Sequence, residues 1–149
     1  MVKVMATGVF DILHPGHIYY LEEAKKLGDE LVVVVARDST VKLHKHEPIT
    51  NEKMRLAMVQ ALKPVDKAVL GYEGDVYRIV KELKPDIIAL GYDQAHSEEK
   101  IRADLERLGL KVKVVRLPEF ANDLSGTRRI IRKIIDWYTF QKKIEKVEK

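Results

Sequence analysis

His14 and His17, separated only by Pro15 and Gly16, are the residues of this chain whose types and spacing point most directly to chemistry. An imidazole N–H can donate to a phosphate oxygen, and residues one helical turn apart share a face. Gly16 lacks a Cβ, so an anion can approach the backbone closely. Pro15 suits the first turn of a helix, where a missing N–H has no intrahelical partner to lose. The segment follows an apolar run over residues 2–7 and precedes Ile18, Leu21, Ala24 and Leu27 at helical spacing. It reads as a strand-to-helix turn whose unpaired N–H groups and helix dipole favour a polyphosphate. An ordinary polar surface is the plainer alternative, and a zinc site is another. The absence of cysteine and of an acidic cluster beside the pair weakens the zinc reading. The Gly8-Val9-Phe10-Asp11 lead-in favours the phosphate.

The elements that must position this turn alternate along the chain. Strands are expected over residues 2–7, 31–36, 65–70, 87–90 and 111–117, the second of them a continuous apolar run suited to the centre of a parallel sheet. Helices are expected over 15–27, 75–83 and 97–108, and from Ser125 to about Phe140. Another starts at Thr50 or Asn51, with an inner face of Leu56, Val59 and Leu62 or of Met54, Met58 and Ala61. The stretch carrying Lys42, His44, Lys45 and His46 reads as a polar loop. Alternation of this kind predicts an α/β fold: a single-domain, Rossmann-like, doubly wound parallel five-stranded sheet with helices on both faces. The domain is expected over 1–140, with 141–149 a charged C-terminal tail that frays. Ligands in such sheets bind beyond the carboxyl ends of the strands. That edge would gather the His14–His17 turn, the Gly91-Tyr92-Asp93-Gln94 turn and the segment from Phe120 to Thr127.

Composition narrows the class. The chain has 149 residues, no cysteine and a formal net charge of +4. Disulfide and thiol chemistry are therefore excluded, which fits a cytoplasmic protein. No run approaches the length of a membrane span, and no secretory signal is evident. The mild basic excess suits anionic small molecules. Basic residues do not form a stripe interleaved with aromatics, so no nucleic-acid partner is expected. His44, His46 and His96 read as solvated residues, Tyr19 and Tyr20 as packing or interface residues, and Trp137 and Tyr138 as a cover for the core edge or a dimer contact.

Taken together, Gly8-Val9-Phe10-Asp11 and His14-Pro15-Gly16-His17 resemble the HxGH signature of the cytidylyltransferase-like nucleotidyltransferases. More narrowly, nearly the whole chain is similar to the archaeal FAD synthetases, which are FMN adenylyltransferases. That likeness rests on residues 10–17, Gly28-Asp29-Glu30-Leu31, Ala36-Arg37-Asp38, Ala61-Leu62-Lys63-Pro64-Val65-Asp66-Lys67, and Leu83-Lys84-Pro85-Asp86-Ile87-Ile88 leading to Gly91 and Asp93-Gln94. It implies transfer of AMP from ATP to FMN, giving FAD and pyrophosphate. It also implies a homodimer, and magnesium or another divalent cation held mainly by substrate phosphates, with no protein ligand assigned. Related enzymes instead use CTP and glycerol 3-phosphate or another polyol phosphate. A non-catalytic nucleotide-binding regulatory module is a reading from a different class.

The resemblance assigns roles by position. His14 and His17 would contact the triphosphate, with the backbone of Val9, Phe10, Pro15 and Gly16 beside it. Lys42 would bring a charge over the phosphates from its loop, with Lys45 as a rival. Asp93 would hydrogen-bond the nucleoside, and Phe120 would lie near the nucleotide. Ser125-Gly126-Thr127-Arg128 stands where the superfamily has its second signature. Ser125 and Thr127 would bind the nucleotide there, and the planar fork of Arg128 would steady the leaving pyrophosphate. The chain departs from its relatives at Val9, where Thr is common, in Ser-Gly-Thr where cytidylyltransferases have Ser-Thr-Thr, and in lacking the C-terminal cysteines of the archaeal synthetases.

Overall fold

The computed structural model describes residues 1–44, 47–91, 94, 97–119 and 126–148, with only the backbone of His44 and Glu148. Its elements are β1 (Lys3–Gly8), α1 (Pro15–Lys25), β2 (Glu30–Val35), α2 (Asp38–His44), α3 (Glu52–Gln60), β3 (Lys67–Leu70), α4 (Arg78–Leu83), β4 (Ile87–Leu90), α5 (Glu98–Arg107), β5 (Lys113–Arg116) and α6 (Thr127–Glu148). The five strands form one sheet in the order β3-β2-β1-β4-β5. Every neighbouring pair is parallel. Parallel strands need crossovers, and the helices supply them on both faces.

Side-chain alternation along the strands divides the core in two. Val4, Ala6, Leu31, Val33 and Val35 pack with Leu21 and Ala24 of α1 and Val59 of α3 on one face. Met5, Val34, Ile88 and Leu90 pack with Ile79 and Val80 of α4 and Leu105 of α5 on the other. The inner face is formed by Leu56 and Val59 of α3 with Leu62 just after it, while Met54 and Met58 point outward.

Two segments differ from the sequence expectation. Residues 38–44 form the short helix α2 rather than a loop. Helix α6 carries on past Phe140 to Glu148, so residues 141–148 continue the helix instead of fraying. Trp137 and Tyr138 on α6 are largely exposed, and in the single chain they cover no core edge.

Candidate active site

Strand order reverses between β1 and β4, because the chain runs outward from β1 to β2 and β3 and then returns to β4 and β5. The crevice beyond the carboxyl ends of β1 and β4 is where a doubly wound sheet binds ligands. The turn after β1 occupies that place.

His14 is the N-cap of α1 and Pro15 its first residue. The Nδ1 of His14 accepts the N–H of Gly16 at 3.1 Å. The Nδ1 of His17 accepts the N–H of His14 at 3.2 Å. These bonds satisfy backbone donors at the helix start, as Ser and Glu do in a capping box. They also fix the tautomers. A neutral imidazole that accepts at Nδ1 carries its proton at Nε2, so each ring keeps one Nε2–H donor. The rings stand 3.8 Å apart, and Phe10 flanks His17 at 5.5 Å. Burial, reinforced by neighbouring His14, pushes the His17 imidazole down to about 4 against a smaller opposing pull from Asp11. His17 is thus a neutral donor at pH 7.

The lead-in to this turn is held in an unusual backbone shape. Phe10 and Ile12 have φ of 56° and 50°, a left-handed conformation that bulky residues rarely adopt. Phe10 is buried, with its ring lying on Gly8; a Cβ on Gly8 would meet that ring at 2.8 Å. Between the two left-handed residues, Asp11 is buried and turned away from solvent. Its carboxylate accepts Ile49 N–H at 2.7 Å, Thr50 N–H at 3.0 Å and Thr50 Oγ1 at 2.7 Å. Burial alone would raise its pKa, but the Thr50 hydroxyl, the two backbone donors and the charge of Arg55 together hold it below the ordinary value. Both oxygens are engaged, so Asp11 acts as a loop anchor.

Arg55, on α3, carries no signal in the sequence and is 1% exposed. Its guanidinium donates to the carbonyls of Val9 at 2.9 Å, Ala36 at 2.7 Å and Thr50 at 3.0 Å, and to Asp38 at 2.6 Å. One side chain thereby ties together the β1–α1 turn, the end of β2, the start of α2 and the approach to α3. An arginine in an amphipathic helix reads as surface; only the tight turn before it, with Asp11, Asp38 and Thr50 nearby in space, shows otherwise.

The other expected site residues fall into three groups. Thr127, in the first turn of α6, meets the β1–α1 turn: its hydroxyl donates to the Asp11 carbonyl at 2.7 Å. Arg128 follows it on α6 and is exposed. Lys42 sits on α2 and pairs with Glu47 at 3.5 Å, both side chains well exposed. Lys45, Asp93, Phe120 and Ser125 lie outside the described residues. Near the end of β4, Gln94 accepts the Gly91 N–H at 2.9 Å and donates to the Thr7 carbonyl at 2.8 Å. Tyr20 donates to the Ala89 carbonyl at 2.6 Å and contacts Thr7, so it braces the ends of β1 and β4. Among the described residues, no helix is long and apolar enough to cross a membrane.

The chain is similar to known proteins in both sequence and fold. Residues 5–145 match the cytidylyltransferase-like family. A protein of Aciduliprofundum boonei called FAD synthase is 62% identical over 91% of this chain and 92% of its own length. One of Thermoplasma volcanium with the same name is 53% identical over 91% of this chain and 96% of its own. A solved structure from Thermoplasma volcanium, titled a lipopolysaccharide core biosynthesis protein, superposes with a TM-score of 0.80 at 57% identity. It covers 81% of this chain and 99% of its own.

Proposed function

We infer the reaction from one premise: the chain belongs to the cytidylyltransferase-like family and is a nucleotidyltransferase. Its function is that of an FAD synthase, transferring AMP from ATP to FMN. A phosphate oxygen of FMN attacks the α-phosphorus of ATP in line. The new P–O bond forms as the bond to the bridging oxygen breaks, and pyrophosphate leaves with that electron pair. The acceptor brings its own oxyanion, so no nucleophilic side chain is required. What remains for the protein is positioning and charge stabilisation.

The observation that carries this reading is the pair of Nδ1 atoms committed to backbone N–H groups. It places the ring proton of each histidine on Nε2, and in this reading those N–H groups donate to the phosphate oxygens that gain charge in the transition state. The backbone of Val9, Phe10, Pro15 and Gly16 shapes the cradle. Thr127 supports it from α6, and Lys42 and Arg128 neutralise the leaving pyrophosphate. Asp93, Phe120 and Ser125 complete the nucleotide contacts in this proposal. A divalent cation such as magnesium would be held mainly by the phosphate oxygens and water, and would supply charge neutralisation there. Asp11 has no oxygen free of protein donors to offer it.

The proposal extends to a cytoplasmic protein organised as a nucleotidyltransferase domain over 1–140 with a C-terminal extension over 141–149. It also includes a homodimer. Ile134, Ile135, Trp137, Tyr138 and Phe140 of α6 are each more than half exposed, and a second copy would remove them from water.

A pyrophosphate-release screen over ATP and CTP, with FMN and several polyol phosphates, tests the reaction. FAD and pyrophosphate are expected from ATP and FMN with a divalent cation. Turnover only with CTP and a polyol phosphate would replace the flavin reading. Nucleotide binding without any turnover would leave a regulatory module.

A further inference from the structure

We propose that Tyr20 is a positioning residue for the phosphate step, its hydroxyl holding the His14–His17 turn over the crevice between β1 and β4. This rests on the adenylyl-transfer reading above. Tyr20 lies on α1, one turn after His17. Side chains on a helix lean back towards its N-terminus, so Tyr20 leans towards the turn that carries both imidazoles. Its ring packs on the core face that includes Val4, Ala6 and Ala89. Its hydroxyl donates to the Ala89 carbonyl at 2.6 Å and accepts the Thr7 N–H at 3.3 Å.

That anchor falls where the strand ladder stops. β1 pairs with β2 as far as Gly8, but with β4 over Val4–Ala6. The next bond of the β1–β4 ladder would join the Thr7 carbonyl to the Gly91 N–H. The Gln94 carboxamide takes that place, donating to the Thr7 carbonyl at 2.8 Å and accepting the Gly91 N–H at 2.9 Å. The two strands therefore part at Thr7, directly before the Gly8-Val9-Phe10-Asp11 lead-in and at the point where strand order reverses. The Tyr20 hydroxyl ties α1 to both sides of that opening, to Thr7 of β1 and Ala89 of β4. A tyrosine here could serve packing alone. A phenyl ring would fill the same space, and the hydroxyl adds the polar bonds at the crevice; those bonds favour positioning.

The test compares Tyr20→Phe with Tyr77→Phe, which loses a tyrosine hydrogen bond to Asp104 at 2.7 Å, away from the turn. Tyr20→Phe is expected to lower kcat about tenfold with KM for ATP within about threefold, because a displaced donor loses transition-state contact before it loses binding. In a His17→Gln background the same change should cost about threefold at most, since one donor it positions is already gone. Amide exchange at His14 and Gly16, whose N–H groups bond the imidazoles, should speed up by about fivefold relative to Val33 in β2, the scale of one hydrogen bond. Tyr77→Phe should change neither kcat nor this local exchange. 4-Aminophenylalanine at position 20 keeps a donor at the same reach and should recover most of kcat; it carries the comparison if Tyr20→Phe does not fold. Unchanged kcat or unchanged exchange in folded Tyr20→Phe would overturn the proposal. So would an equal loss in Tyr77→Phe, an undiminished loss in the His17→Gln background, or the same loss in the 4-aminophenylalanine protein. Absence of FAD synthesis by the unmodified protein would fail the adenylyl-transfer reading instead, and the exchange rates would then decide on their own whether Tyr20 holds the turn.

Discussion

At the scale of single residues, the two histidines assigned to the phosphates in the proposed function also cap the helix they stand on. On that proposal, replacing either removes a phosphate donor and a backbone acceptor together. His14→Ala should lower kcat about a hundredfold, as the loss of a positioned oxyanion donor does, while far-UV circular dichroism stays close to the original. His17 has a second consequence. Its unfolded pKa is near 6.5 and its folded value about 4, so only the unfolded chain takes up the proton between those limits. Stability is then unaffected above pH 6.5 and falls as the pH drops towards 4, by about 3 kcal/mol in all. Urea unfolding at several pH values should show this slope, and His17→Gln should flatten it. Asp11, with its pKa lowered, adds a loss only at still lower pH. The histidine pair was legible in the sequence because HxGH is short, local and flanked by strand and helix patterns. Arg55 was not, because its importance lies in four acceptors that come together only in space.

At the scale of elements, the site is a junction of segments fastened by polar bonds. Arg55 joins the β1–α1 turn to α2 and α3, and Asp11 joins that turn to the Ile49–Thr50 segment. Arg55→Met should destabilise the fold by about 3 kcal/mol, a fall in Tm of roughly 10 °C, because it leaves several carbonyls and Asp38 without their donor. Thermal unfolding checks this, and saturating nucleotide should recover less of the lost Tm than for a distant core substitution. Thr127→Val should cost about 1 kcal/mol and loosen the first turn of α6 from the cradle. Helix α2 escaped the sequence reading because its seven residues, Asp38–His44, mix β-branched and polar types without a helical stripe. Its start is secured by tertiary contacts, among them Glu52 accepting the Asp38 N–H and Arg55 meeting the Asp38 carboxylate. By contrast, Ile87–Leu90 was readable because it is a short apolar run closed by Pro85 and Gly91.

At the scale of the whole molecule, alternating apolar runs and amphipathic helices were enough to specify a parallel sheet, since crossover rules leave few topologies. The strand order follows from pairing, which no local pattern records. The extent of α6 is not legible in the sequence, because the charged residues after Lys142 resemble a frayed end but are equally good helix formers. A chain ending at Phe140 should keep its Tm within about 2 °C, since the residues beyond contribute little buried surface; a larger fall would place them in the folded unit. The left-handed Ile12 sets a last relation between the whole and its part. A branched residue in that conformation costs about 1–2 kcal/mol, which the rest of the fold supplies. Ile12→Gly would release that cost and slacken the turn that holds the histidines.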